Sequence, residues 1–174
     1  AAGAVAVAID VDAAALINMT VSGQPVGPKT FEELVELKQN IKLPLIIKGV
    51  MEIEDALKCA EAGIDGIVVS NHGGRVLDHT PGTAEVLPGI ADAVGNKMMI
   101  FVDGGIRTGF DVLKMLALGA DAVLLGRPIT QAGAGGAEGV ACLLKYMQAE
   151  LEAAMIMTGA QALSKITRDI VYNK

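Results

Sequence analysis

The sequence predicts an α/β fold of alternating strands and helices, and within that class it points to a TIM (β/α)8 barrel. Three observations lead there. Short apolar runs alternate with longer stretches of helical spacing, the pattern of parallel strands joined by crossover helices. A segment also repeats weakly. Glu61-Ala-Gly-Ile-Asp65-Gly-Ile-Val-Val69 resembles Ala117-Leu-Gly-Ala-Asp121-Ala-Val-Leu-Leu125, each copy with a glycine suited to a helix C-terminus ahead of a buried strand. Finally, Asp10, Lys48, Ser70, His72, Asp103, Gly126 and Arg127 all follow apolar runs. Periodicity allows a barrel or a doubly wound sheet, but the barrel gathers these strand ends on one face where an open sheet scatters them.

Taken in order, residues 4–9 read as a short buried strand ending at Asp10 and Asp12. From there to Lys29 the chain holds Gly23, Pro25, Gly27 and Pro28 and reads as a loop. Thr30 has the character of an N-cap with Glu33 as its capping-box partner, and Phe31, Leu34, Val35 and Leu37 fall near one face of the helix that follows. Residues 43–47 form the second strand, which ends in Lys48-Gly49, and 52–62 a helix stopped by Gly63. Strand 66–69 then delivers His72. Helix 84–94, strand 98–102, helix 109–118, strand 122–125 and a long helix over 136–157 complete five strands and five helices. Residues 1–7 look like the tail of another copy of the repeat, so the chain reads as starting inside a larger fold.

Composition narrows the function. With 174 residues, 52% of them hydrophobic, and a mean hydropathy of +0.47, the chain can bury the core of one domain and is not disordered. A net charge of −6 and a pI near 4.9 argue against a nucleic-acid or anionic-membrane surface, although local basic positions can still hold phosphate. Cys59 and Cys142 make neither a metal pattern nor a disulfide framework and read as packing residues. Methionines 98, 99, 115, 147, 155 and 157 likewise read as core packing, and no metal site is proposed. No apolar run reaches the roughly 20 residues of a membrane helix, and the start lacks a basic signal-peptide region, so a cytoplasmic protein is expected.

Ile67-Val-Val-Ser70-Asn-His72-Gly-Gly-Arg75-Val-Leu77-Asp78 carries the chemistry, because an apolar strand ends in residues that exchange protons and hold an anion. His72 can act as a base near neutral pH, Arg75 offers a planar fork to a carboxylate, and Gly73-Gly74 let the backbone turn between them. The plainer reading is a loop histidine with satisfied hydrogen bonds beside a glycine turn, and His79 is read that way. Asp103-Gly104-Gly105-Ile106-Arg107-Thr108-Gly109 lies between a strand and a helix, and Gly126-Arg127-Pro128 ends the next strand. Paired loops of this kind supply helix N-terminal N–H groups and guanidiniums to a phosphate. Lys48, at the end of an apolar strand, needs an anionic partner.

Ser70-Asn-His72-Gly-Gly-Arg75 followed by Leu77-Asp78 resembles the active-site loop of the FMN-dependent 2-hydroxy acid oxidases and dehydrogenases, the family of glycolate oxidase, lactate oxidase and flavocytochrome b2. The resemblance implies an FMN barrel in which residues 1–174, a single domain, supply about the last five strand–helix units, with the N-terminal part absent. It implies FMN as cofactor. Gly104, Gly105, Ile106, Arg107, Gly126 and Arg127 would hold its phosphate, Asp103 its ribityl hydroxyls and Ser70 a hydrogen bond, with Lys48 beside the flavin N1 and C2 carbonyl. His72 becomes the base, Arg75 the carboxylate ligand, and Asp10 the carboxylate paired with His72, with Asp12 its rival. The chain also departs from the family. Ala8 stands where the form Thr-x-Asp-Thr-Pro has its threonine, residues 12–22 contain no Arg or Lys, and neither Tyr146 nor Tyr172 matches the active-site tyrosines.

The expected activity of the intact protein is therefore oxidation of a small, lactate- or glycolate-like (S)-2-hydroxy acid to the 2-oxo acid by a flavoprotein oxidoreductase. Two other readings stay open. One is another FMN or phosphate barrel enzyme, such as an IMP dehydrogenase, glutamate synthase or type 2 isopentenyl diphosphate isomerase. The other is a non-catalytic half-barrel. Five parallel strands without closure expose two edges, so pairing with the missing N-terminal half or with another copy, as a homo-oligomer, is expected.

Overall fold

Five strands, β1 (Val7–Asp10), β2 (Leu45–Val50), β3 (Gly66–Val69), β4 (Met99–Val102) and β5 (Ala122–Val123), pair in parallel in their chain order in a computed structural model that describes residues 3–23 and 26–172. The helices between them are α1 (Ile17–Val21), α2 (Phe31–Asn40), α3 (Ile53–Glu61), α4 (Thr83–Val94), α5 (Gly109–Ala117), α6 (Arg127–Ala132) and α7 (Gly136–Thr158). A doubly wound sheet reverses its strand order at a switch point. The order β1-β2-β3-β4-β5 never reverses, as in successive strands of a barrel.

Register decides which side chains share a face. Asp10 stands opposite Lys48, Lys48 opposite Val68, and Val68 opposite Phe101. Because side chains alternate along a strand, these inward positions form one set. The other set, Leu45, Ile47, Val50, Ile67, Val69, Ile100 and Val102, is almost fully buried and packs with Leu87, Ile90 and Val94 of α4 in the main core. The inner face is more open, with Met99 still 49% exposed.

The repeat has a structural cause that the sequence comparison did not give. Gly63 and Gly119 both adopt positive φ, 75° and 111°, as helix C-terminal glycines do. Two residues on, the Asp65 carboxylate accepts the Leu45 N–H at 2.7 Å and the Asp121 carboxylate accepts the Ile100 N–H at 2.8 Å. Each copy thus caps the start of the preceding strand.

Several expectations need correction. Residues 11–22 are not a plain loop, since a 3-10 turn (Asp12–Ala15) and α1 form where Ala13, Ala14 and Leu16 precede the first glycine. α6 was also missed; Pro128 in its first turn starts it and Gly133 ends it. β2 runs through Lys48 to Val50 because pairing with Asp10 carries the ladder past Ile47, with a register shift at Gly49. β5 keeps two of the four expected residues, having a partner on one side only. Met98, Met115 and Met147 are buried, but Met99 and Met157 are exposed, as is Cys142 on the outward side of α7. The tail-of-a-repeat reading of residues 1–7 and the Pro25 part of the loop rest in part on Ala1, Ala2 and Pro25, outside the described residues. Among the described residues no helix is long and apolar enough to cross a membrane.

α5 packs directly on α7 at Gly109. A Cβ at Gly109 would lie 2.2 Å from the Met147 carbonyl oxygen and 2.3 Å from the Leu151 nitrogen, both backbone atoms. Gly109→Ala should therefore destabilise the protein by about 2 kcal/mol or more, read as a lower urea midpoint. An unchanged midpoint would mean that α7 does not sit on α5 in this way.

Candidate active site

Strand parity places Asp10, Lys48, Ser70 and Asp103 at the C-terminal ends of β1, β2, β3 and β4, on the inner face. From Ser70, fully buried, the chain turns sharply. The Ser70 hydroxyl oxygen accepts the His72 N–H at 3.1 Å, and Asn71 Oδ1 accepts the Gly73 N–H at 3.0 Å while its amide donates to the Pro81 carbonyl at 3.2 Å. These bonds hold His72 at φ +55°, a backbone conformation uncommon outside glycine. Arg75 Nε donates to the His72 carbonyl at 3.1 Å, which ties the guanidinium to the same turn.

The His72 ring is 16% exposed, and its Nδ1 lies 3.3 Å from Asp12 Oδ2 and 3.4 Å from Lys48 Nζ. Lys48 Nζ donates to Asp10 Oδ1 at 2.8 Å and sits 3.8 Å from Asp103 Oδ2. The expected pairing of Asp10 with His72 is thus corrected: Asp10 binds Lys48, its neighbour across the ladder, and Asp12, one turn later, reaches His72. The two carboxylates and the imidazole bring polar atoms within 4.8 Å of one another. The protein's own ammonium already sits on two of them.

A cavity of about 490 Å³ opens over this cluster, lined by Asp10, Lys48, His72, Arg75, Asp103, Gly104, Gly105, Ile106, Arg107, Gly126 and Arg127. Of the residues given a site role from the sequence, Ser70 and Asp12 are not in the wall; Ser70 lies beneath His72. Leu124 and Thr130 join the lining without having been expected. Supporting residues were also missed. The Thr83 hydroxyl donates to the Asp103 carbonyl at 2.7 Å, and Gly49, at φ +101°, leaves room for Asp12. The glycine after Lys48 was the available signal for the second.

The anion-binding reading of the Asp103–Gly109 loop changes in one respect. The N-terminus of α5 is filled by the protein itself, since Asp111 Oδ2 accepts the N–H groups of Arg107 and Thr108, each at 3.1 Å, and Glu150 accepts that of Gly109 at 2.7 Å. The donors left for a bound anion are the Gly104-Gly105 turn, with φ +94° and +74°, and the Arg107 and Arg127 guanidiniums along the cavity. Asp103 Oδ1 is buried with no hydrogen-bond partner among the described residues, an acceptor suited to the hydroxyl of a polyol chain. Cys59 offers no chemistry here: burial, with Asp55 nearby, pushes its thiol up to about 11.

The FMN-dependent dehydrogenase family matches residues 2–173. L-lactate dehydrogenase of Caulobacter sp. (strain K31) is 48% identical over 142 residues, covering 81% of this chain and 37% of that protein. L-lactate dehydrogenase of Vibrio parahaemolyticus is 53% identical over 127 residues, covering 72% of this chain and 34% of that protein. Among solved structures, mandelate oxidase with benzoyl-formic acid aligns with a TM-score of 0.85 at 37% identity, covering 95% of this chain and 54% of that one. The chain spans little more than a third of the curated relatives and about half of the solved structures.

Asp111 is the keystone of the loop below the cavity. Burial raises its pKa, but the Arg107 and Thr108 N–H groups and the Thr108 hydroxyl outweigh this and hold the carboxyl below the usual range. A group depressed on folding contributes stability that is present above its unfolded pKa and is lost as pH falls through its folded pKa. Asp111→Asn should therefore flatten the acid side of the stability–pH profile while changing little of its slope above neutrality. An acid limb as steep as the parent's would remove Asp111 from this role.

Proposed function

We propose, because this chain belongs to the FMN-dependent dehydrogenase family, that the protein oxidises a small (S)-2-hydroxy acid to the 2-oxo acid. The observation that carries the reading is one cavity on which a base, a carboxylate ligand and an anion cradle all open: His72, Arg75, and the Gly104-Gly105 turn with Arg107 and Arg127. FMN fits this donor set. Arg107, Arg127, Gly126 and the Gly104–Ile106 turn would hold its phosphate, the unpartnered Asp103 Oδ1 a ribityl hydroxyl, and Lys48 the electron-rich edge of the ring.

The residues of this chain then divide the work. Arg75, exposed at the rim, binds the substrate carboxylate through a charge-assisted pair. With no cation in residues 12–22, substrate binding rests more heavily on this fork. His72 accepts a proton from the bound hydroxy acid, and an adjacent carboxylate stabilises the imidazolium that results. Bound FMN supplies the two-electron acceptor. The relatives named L-lactate dehydrogenase and mandelate oxidase support a 2-hydroxy acid and leave the side chain open between methyl and phenyl.

The remaining parts of the proposal concern the surroundings. The described strands form one domain whose inner face, with Met99 half exposed, is completed by the N-terminal part of the barrel, and the protein works in the cytoplasm.

In the full-length protein, His72→Asn should slow flavin reduction by lactate, glycolate or mandelate by about 10²- to 10⁴-fold. Arg75→Met should weaken substrate binding by about tenfold or more, the loss of a hydrogen-bonded charge pair. Absence of flavin bleaching by any of the three acids refutes the proposal. The 174-residue segment, titrated with FMN, should bind it while giving little turnover; failure to bind at millimolar FMN removes the phosphate assignment from these loops.

A further inference from the structure

We propose that Gly73, in the turn that carries His72, is a positioning residue for the Arg127 guanidinium and so sets how firmly the chain holds the phosphate of FMN. The inference rests on the reading of Arg127 as a phosphate ligand. It begins from a close approach between two loops. A Cβ built on Gly73 would lie 3.2 Å from Arg127 Nη2 and 3.9 Å from its Cζ, so the guanidinium lies against the bare α-carbon of a residue in the loop after β3. Arg127 itself follows β5, as the first residue of α6. β4 separates β3 from β5 in the sheet, yet their loops meet here.

The contact decides where a long side chain rests. Arg127 lines the cavity over His72 and also a second cavity of about 620 Å³, and Gly73 and the Gly104-Gly105 turn border both. In the second cavity Asp78 and Asp111 present carboxylates that attract a guanidinium. Arg75, on the same turn as Gly73, is tied to the His72 carbonyl at 3.1 Å, whereas Arg127 has no hydrogen bond or ion pair among the described residues. The bare surface of Gly73 takes the place of a polar partner: it seats the planar fork between the two cavities and leaves its N–H donors for an anion. A side chain seated before the anion arrives loses less freedom on binding it.

The platform is itself held in place. The Gly73 N–H donates to Asn71 Oδ1 at 3.0 Å, and the Asn71 amide donates to the Pro81 carbonyl at 3.2 Å, which ties the turn to the far end of its loop. Gly73 has φ +66° and Gly74, next to it, φ +72°, so a side chain is strained alike at either position. Their surroundings differ. A Cβ at Gly74 would come no nearer than 3.7 Å to Asp78 Oδ1, an ordinary contact, whereas one at Gly73 would press on Arg127. The atom pressed is the far end of a flexible side chain, so the guanidinium gives way, with the second cavity open to it.

The test is titration of the full-length apoprotein with FMN, followed by flavin fluorescence, together with phosphorus NMR of the bound cofactor. Arg127→Met should weaken FMN binding by about tenfold or more, as expected for loss of a hydrogen bond between charged groups. Gly73→Ala should weaken it by about threefold to tenfold, the cost of fixing a rotamer-rich side chain anew, and should shift the phosphate resonance. Gly74→Ala, equally strained, should do neither. In the Arg127→Met background Gly73→Ala should weaken binding no further, because the two residues act through one interaction. Arg127→Lys keeps the charge, loses the planar fork and leaves Gly73 untouched, so it serves where Gly73→Ala does not fold; its affinity should fall nearer to Arg127→Met than to the parent. Unchanged affinity in Gly73→Ala, an equal loss in Gly74→Ala, the same loss from Gly73→Ala with and without Arg127, or parental affinity in Arg127→Lys overturns the role of Gly73. Unchanged affinity in Arg127→Met overturns both that role and the phosphate reading beneath it. A protein that shows the Gly73 pattern yet oxidises no 2-hydroxy acid refutes the proposed oxidation and upholds the role of Gly73.

Discussion

Alternation of side chains along an in-register parallel ladder is the constraint from which the site follows. Asp10 opposite Lys48, Lys48 opposite Val68 and Val68 opposite Phe101 set the parity of four strands at once. The outward set is apolar and locks into the helices; the inward set ends in Asp10, Lys48, Ser70 and Asp103. A one-residue slip in any strand would send its polar end residue into the helix-facing core and its core residue to the inner face. Burial of Ile47, Ile67 and Ile100 therefore also fixes the chemistry.

Charge then organises what parity has gathered. The Lys48 ammonium, 21% exposed, links the ends of β1 and β4 through Asp10 and Asp103 and touches the His72 ring of the loop after β3. Such a cation is tolerated because anions surround it. The same economy appears below the Gly104-Gly105 turn, where Asp111 and Glu150 satisfy the first N–H groups of α5 and leave the guanidiniums and the glycine turn to face the cavity. An anion entering the cavity would thus meet loop glycines and arginines rather than the end of α5.

The repeat gives a third view of the same design. Asp65 and Asp121 close the gap between one unit and the strand before it, so each unit carries its own device for attaching to its predecessor. Unit-by-unit attachment keeps strands in chain order, and chain order brings successive loops together as the wall of one cavity.

The sequence by itself determined the class of the fold, the capping box at Thr30 and Glu33, the span of β3 from Gly66 to Val69, and most of the cavity wall. These were legible because they depend on local signals: apolar periodicity, cap residues, glycine turns, and a run from Ser70 to Arg75 whose order carries its own chemistry. Short helices escaped it, since α1 and α6 have too few residues for a period to emerge. Tertiary structure alone decided which carboxylate meets which cation. Asp10 and Asp12 are two residues apart in the chain and alike in composition, but the ladder turns Asp10 toward Lys48, and the bulge at Gly49 opens the space through which Asp12 reaches His72. Pairing across strands is a property of register and of vacant volume, and neither is written in the local order of residues.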